Sequence, residues 1–174
     1  MRRVVVVGTT GAGKTTFGRA LAGKLGAKFI ELDALFWGAN WTPAPDFVAR
    51  VEQALEAECW VVDGNYNSQV QPYILANADT LVWLDYSFGI KFWRLFARTC
   101  RRALRREGLW NGNTETFAKA FLSRESIFIW FFKTHWRQRQ RYEALLSELP
   151  EHLTVYRLVE PRDAEQFLTA VTRA

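Results

Sequence analysis

The chain has 174 residues, 49% hydrophobic and 24% charged, which fits one globular domain with a substantial core and excludes a low-complexity or disordered chain. Two cysteines, Cys59 and Cys100, are too few for a disulfide framework, and their spacing suits no metal cluster. The longest apolar run, Ile127 to Phe132, falls far short of the ~20 residues of a membrane span, and Met1-Arg2-Arg3 leads into the first strand without a signal-peptide pattern. A reduced cytoplasmic setting without membrane contact is therefore expected.

Val4 to Val7 is a β-branched apolar run, predicted as a strand buried on both faces. Gly8-Thr9-Thr10-Gly11-Ala12-Gly13-Lys14-Thr15-Thr16 follows and fits G-x-x-x-x-G-K-[ST], the Walker A pattern. Phe17, Leu21 and Leu25 then recur at helical spacing, and Gly26 is a candidate C-cap. In this strand–loop–helix setting, glycines let successive amides turn toward phosphate oxygens, and the helix N-terminus adds partial positive charge. Lys14 is placed to reach the outer phosphates and Thr15 to ligate Mg²⁺. The expected ligands are ATP or another purine triphosphate, with Mg²⁺.

Lys28 to Asp33 is predicted as a second strand ending in an acid, and 34–45 as a Trp-rich loop. Asp46 is expected as the N-cap or a first-turn acid of a helix through Phe47, Val51, Leu55 and Ala57. Residues 59–63 and 80–85 read as further strands, each ending in an acid, with a short helix near 67–76 between them, disturbed or begun by Pro72. A basic amphipathic helix covers 88–106, and 108–113 breaks it. A second long helix at 123–149 ends at Pro150, a fifth strand covers 153–158, and a last helix 161–172. Strands alternating with helices imply an α/β fold: a five-stranded parallel sheet with helices on both faces and ligands at the carboxyl ends of the strands.

Asp33, Asp63 and Asp85 all stand at such ends. Asp63, followed by glycine, matches a Walker B acid that holds Mg²⁺, and Asp85 competes for that role. Trp37, Trp41 and Tyr66 are candidates for an aromatic wall against a ring-shaped acceptor, with the core as the alternative destination. Residues 86–142 hold thirteen Lys/Arg against three Asp/Glu, a net of +10 within a chain of +5. That charge suits a nucleic acid or membrane surface, or a lid whose arginines meet triphosphate. Arg94, Arg98, Arg101 and Arg105 share one helical face. Lys133, Arg137, Arg139 and Arg141 are expected as surface or partner contacts, and His135 and His152 as structural or exposed.

The P-loop, a second strand ending Phe29-Ile30-Glu31-Leu32-Asp33, a third ending Val61-Val62-Asp63-Gly64, and an arginine-rich insertion together resemble the nucleotide and shikimate kinase superfamily. Asp33 to Trp37, Trp60 to Tyr66 and Leu109 to Asn113 resemble, more narrowly, adenylate-kinase-like proteins of the topology modulation type. The resemblance covers essentially the whole chain. It implies a P-loop NTPase fold over residues 1–174 as one domain, with an Arg-rich helical lid at about 94–126. It further implies γ-phosphate transfer to a small-molecule acceptor, the strand of 59–63 beside the P-loop strand, and hence Asp63 as the metal acid. Asp33 would orient the acceptor hydroxyl, Arg94 and Arg98 would contact nucleotide or the transferring phosphate, and Asn65, Tyr66 and Arg124 would face the acceptor. Where adenylate kinases carry Asp-Gly-Phe-Pro-Arg, this chain has Asp63-Gly64-Asn65-Tyr66-Asn67, and the triple glycine of shikimate kinases is absent. The alternative is an NTP-binding regulator that associates with DNA through its basic helices. Nothing in the sequence fixes an oligomeric state.

Overall fold

The computed structural model of the protein describes residues 1–64, 70–105 and 127–171. Five strands, β1 (Arg3–Val7), β2 (Lys28–Glu31), β3 (Trp60–Asp63), β4 (Thr80–Leu84) and β5 (Thr154–Leu158), form one sheet. Their order is β2-β3-β1-β4-β5 and every pairing is parallel. The helices are α1 (Lys14–Leu25), α2 (Leu32–Phe36), α3 (Phe47–Leu55), α4 (Gln71–Asn77), α5 (Phe88–Arg105), α6 (Ile127–Leu146) and α7 (Pro161–Ala170).

Alternation along the strands produces two cores. Val5, Val7, Val62, Leu81 and Trp83 point to one face, with Phe47 and Val51 of α3, Ile74 of α4 and Tyr142 of α6. Val4, Val6, Val61, Val82 and Leu84 point to the other, with Phe17 and Leu21 of α1 and Ala164 of α7. The central strands are thus apolar on both faces, as a doubly covered parallel sheet requires.

Several local expectations change. β2 stops at Glu31, so Asp33 does not end a strand but lies in the first turn of α2. The tryptophan-rich stretch is not plain loop: α2 is followed by a 3₁₀ turn, Ala39–Trp41, and Trp37 bridges antiparallel to Pro43. Pro72 begins α4 rather than breaking it, since an amide in a first turn has no helical acceptor. Asp46 makes no side-chain cap; its carboxylate pairs with Arg50 at 2.8 Å. Asn65, Tyr66, the segment 108–113 and Arg124 lie outside the described residues, as does most of the proposed lid. No helix among the described residues is long and apolar enough to cross a membrane.

α5 and α6 run antiparallel along an aromatic seam. Phe88 packs on Phe131 at 5.1 Å and Phe92 on Phe128 at 6.0 Å between ring centroids. Leu95 is fully buried, and Phe88, Phe92 and Phe96 are half-buried as the amphipathic pattern anticipates. Trp93, Trp130 and Trp136 remain more than half exposed.

Asp85, just beyond β4, is buried and anchors β5 to α6. Arg157 donates to its Oδ2 from Nε at 3.0 Å and Nη2 at 2.6 Å, and Arg139 approaches at 3.3 Å. Arg139 keeps the partly exposed position that the sequence suggests and also pairs with buried Asp85. Arg157 also lies over the Trp83 ring at 4.5 Å. Replacing Arg157 by Met removes both hydrogen bonds and leaves the carboxylate to Arg139 and the charge of Lys91. The expected loss is about 2 kcal/mol of unfolding free energy, read by urea denaturation.

Candidate functional site: the P-loop end of the sheet

The register of the parallel strands creates the site. Val6 stands opposite Asp63, and Asp63 opposite Glu31. The loop leaving β1, the acid ending β3 and the start of α2 therefore open side by side at one end of the sheet. Asp85 is on the far side of β1, committed to arginines.

The loop itself is held by close packing. Gly13 caps α1 in the left-handed conformation, φ 87°, and Gly11 has φ 82°. A side chain at Gly11 would put Cβ 2.3 Å from the Lys91 carbonyl oxygen and 3.2 Å from Leu95 Cβ. α5 thus lies directly against the loop, and only glycine permits that approach. From the other side, the Gly8 amide donates to the phenol of Tyr142 on α6. Tyr142 is buried, and desolvation raises the pKa of its hydroxyl. Ala12 N–H donates to Thr9 O at 3.2 Å within the turn. The Thr9 hydroxyl is buried without a hydrogen-bond partner. Thr10 is half-buried and Thr16 exposed.

Lys14 and Thr15 occupy the first turn of α1. The Thr15 hydroxyl donates to Asp63 Oδ2 at 2.5 Å. Asp63 is only 4% exposed, and its Oδ1 has no hydrogen-bond partner. Burial raises the pKa of this carboxyl; Lys14 and the Thr15 hydrogen bond oppose that, and Asp33 adds to it. Asp33 therefore shares the electrostatic neighbourhood of Asp63, as does Arg19 of α1, which pairs with Glu31 at 2.9 Å.

A hydroxyl and a carboxylate oxygen with an unsatisfied neighbour are hard donors that fit Mg²⁺, which takes few protein ligands and completes its shell with water and phosphate. Among the described residues there is no group of three His, Cys, Asp or Glu that could hold a metal by itself.

Arg94 turns back onto the loop: Nη1 donates to the Ala12 carbonyl at 3.2 Å, and the guanidinium lies 5.0 Å from the Tyr86 ring centroid. Arg98, one turn farther along α5, is half-buried. Trp37 and Trp41 meet edge to face at 5.6 Å, and Trp37 meets Phe36 at 4.8 Å. Phe36 leads to the core through Phe47 at 5.1 Å. Asn40 and Trp41 have φ of 55° and 59°, a left-handed conformation that is strained for a bulky ring.

Three residues at the site escaped sequence reasoning. Arg19 and Tyr142 lie in ordinary helical patterns; only tertiary packing brings Arg19 to Glu31 and Tyr142 to the loop. Lys91 was legible in part. It sits three residues after Phe88 and four before Leu95, on the face that the helical period buries.

Residues 10–55, which carry most of the P-loop, β2, α2 and α3, match the family model described as shikimate kinase. A shikimate kinase of Paramagnetospirillum magneticum is 43% identical over 53 residues, 30% of this chain and 27% of that protein. The match thus spans about a quarter of the relative's length. A crystal structure of shikimate kinase from Bacteroides thetaiotaomicron superposes with a TM-score of 0.58 at 15% identity, covering 97% of this chain and 94% of that one. A gluconokinase from Sinorhizobium meliloti gives 0.51 at 19% identity, with 97% and 91% coverage. The fold matches the P-loop fold of these kinase structures, and the family match lies between the P-loop and the end of α3.

Proposed function

We propose that the protein is a phosphotransferase that moves the γ-phosphate of ATP, with Mg²⁺, to a hydroxyl of a small-molecule acceptor. The observation that carries this reading is the Thr15–Asp63 pair, with its unpartnered buried Oδ1, at the first turn of a helix behind a complete P-loop. The family match over residues 10–55 and the kinase fold support it.

In this reading the loop Gly8 to Thr16 cradles the phosphates with the Lys14 ammonium and with amides other than those of Gly8 and Ala12, which bond to Tyr142 and Thr9. Thr15 and Asp63 would hold Mg²⁺, which would neutralise phosphate charge during transfer. Arg94 and Arg98 supply cations toward the transferring group. Asp33 orients the acceptor hydroxyl and receives its proton as the new oxygen–phosphorus bond forms and ADP leaves. Trp37 and Trp41 wall the acceptor side, joined by Asn65, Tyr66 and Arg124. The neighbours named for shikimate and gluconate point to polyhydroxylated acids as the first acceptors to test. The Asp63-Gly64-Asn65-Tyr66 segment favours the topology modulation subgroup within the superfamily, acting in the cytosol as one domain whose lid spans about 94–126.

The assay is ³¹P NMR of MgATP with a panel of hydroxy acids and sugars. The expected result is ADP and a new phosphomonoester with one acceptor class; ATP turnover that no acceptor stimulates would refute the transfer reading. Lys14→Ala should weaken triphosphate binding or transfer by roughly 10²-fold or more, since it removes charge-assisted contacts to the phosphates. Asp33→Asn should lower kcat by about 10²-fold, with the ATP KM nearly unchanged, if Asp33 serves the acceptor.

Asp63 yields a separate prediction on the apoprotein. Its folded pKa is raised above the unfolded value, so the folded state binds more protons as pH rises through the carboxylate range. Stability assigned to Asp63 should fall across that window. Asp63→Asn should remove this fall and melt no lower than wild type at pH 7, as measured by thermal unfolding over a pH series without nucleotide.

A further inference from the structure

The inner face of α5 carries a cation where its neighbours are aromatic and aliphatic. Lys91 is 1% exposed, close to Phe88 and Leu95 in the helical period, and its carbonyl abuts Gly11. The charged and titratable groups facing it are Asp85 after β4, Arg139 and His135 on α6, and Lys14 of the P-loop. Asp85 is already shared between Arg157 and Arg139, and Glu143 lies 3.5 and 3.6 Å from the same two arginines. Three cations, Lys91, Arg139 and Arg157, thus meet two carboxylates, and Lys14 adds positive charge from the loop side. His135 gives no relief. Burial first, then Lys91 and Arg139, lower its pKa to about 4, and its Nδ1 has no hydrogen-bond partner.

A buried cation in excess of its counter-charges destabilises the fold that holds it. A methionine would fill the same space without that cost. The missing counter-charge is an anion, and the adjoining loop has the amides and lysine of an anion cradle. We propose that Lys91 is a positioning residue for the nucleotide: a buried cation behind the P-loop that strengthens triphosphate binding by its charge and is kept at the expense of apoprotein stability. The inference rests on the nucleotide-site reading above and adds to it a residue outside the motif.

The titration follows in sign. Burial, then Arg139 and Lys14, lower the Lys91 pKa from 10.5 to about 8, with Asp85 opposing. Lys91 is charged at neutral pH and loses its charge as pH rises through about 8. Bound triphosphate favours the charged form, so affinity should fall over that range. Between about 8 and 10.5 the unfolded chain binds more protons at this group than the apoprotein does, so Lys91 makes apoprotein stability rise with pH there.

The test is calorimetric binding of a non-hydrolysable ATP analogue with saturating Mg²⁺, from pH 7 to 9.5, using full-length wild type, Lys91→Met and Lys91→Arg. Wild-type affinity should fall about tenfold over this range. Lys91→Met should bind about tenfold more weakly at pH 7, show a flatter profile, and melt as apoprotein no lower than wild type. Lys91→Arg should recover affinity at pH 7 and hold it at pH 9.5. Parallel pH profiles in wild type and Lys91→Met, or a lower apoprotein melting temperature with unchanged affinity, would reduce Lys91 to a packing role and overturn the proposal. Failure of wild type to bind the analogue at any pH would instead overturn the nucleotide site itself, and this proposal with it.

Discussion

The arrangement depends on one constraint, the parallel pairing of β3 between β2 and β1. Because Asp63 stands opposite both Glu31 and Val6, the acid ending β3 reaches Thr15 on the first turn of α1, with Asp33 just beyond β2. A one-residue slip would turn Asp63 to the opposite face and break the contact. Trp60 at the start of β3 opposes such a slip, since its fully buried ring belongs to one of the two cores and would be turned into the other. Site geometry and core packing are thus specified by the same strand.

A second feature is the sign of the charge gathered around that end. Lys14, Lys91 and Arg94 stand in or against the loop, and Arg139 and Arg157 gather around Asp85. Asp85 is held by two arginines, and Asp63 is buried with one oxygen unpartnered. Cation and carboxylate excesses lie on opposite sides of β1. The proposed phosphate chain with its metal would complement both, the phosphates serving Lys14 and Lys91 and the metal Asp63. Desolvated charges of this kind oppose folding and favour a charged ligand, which separates them from ordinary core groups.

How much was readable beforehand divides by range. The P-loop was fully legible because its signal is local: glycine at the positions of left-handed backbone, with lysine and threonine at the helix start. The parallel sheet followed from alternating strand and helix patterns. Choosing between Asp63 and Asp85 required strand order, which the residues alone left open and the superfamily resemblance supplied. The two acids look alike in sequence, yet one faces Thr15 and the other Arg157, 72 positions later. The pairing of Arg139 with Asp85 was hidden for the same reason, since the two lie 54 residues apart. Asp33 was placed at a strand end because Leu32 continues the apolar run, whereas the backbone turns helical at Leu32. The left-handed Asn40 had the weak signal of an asparagine, which tolerates that conformation, whereas Trp41 had none.

The account stands most directly on Asp63 as the acid that couples metal to nucleotide. The decisive measurement is ATP affinity of wild type and Asp63→Asn across a magnesium series, by isothermal calorimetry at fixed ionic strength. The account predicts that magnesium tightens ATP binding in wild type and that the variant loses most of this tightening while staying folded. An identical magnesium response in both proteins, or its transfer to Asp85→Asn, would contradict it.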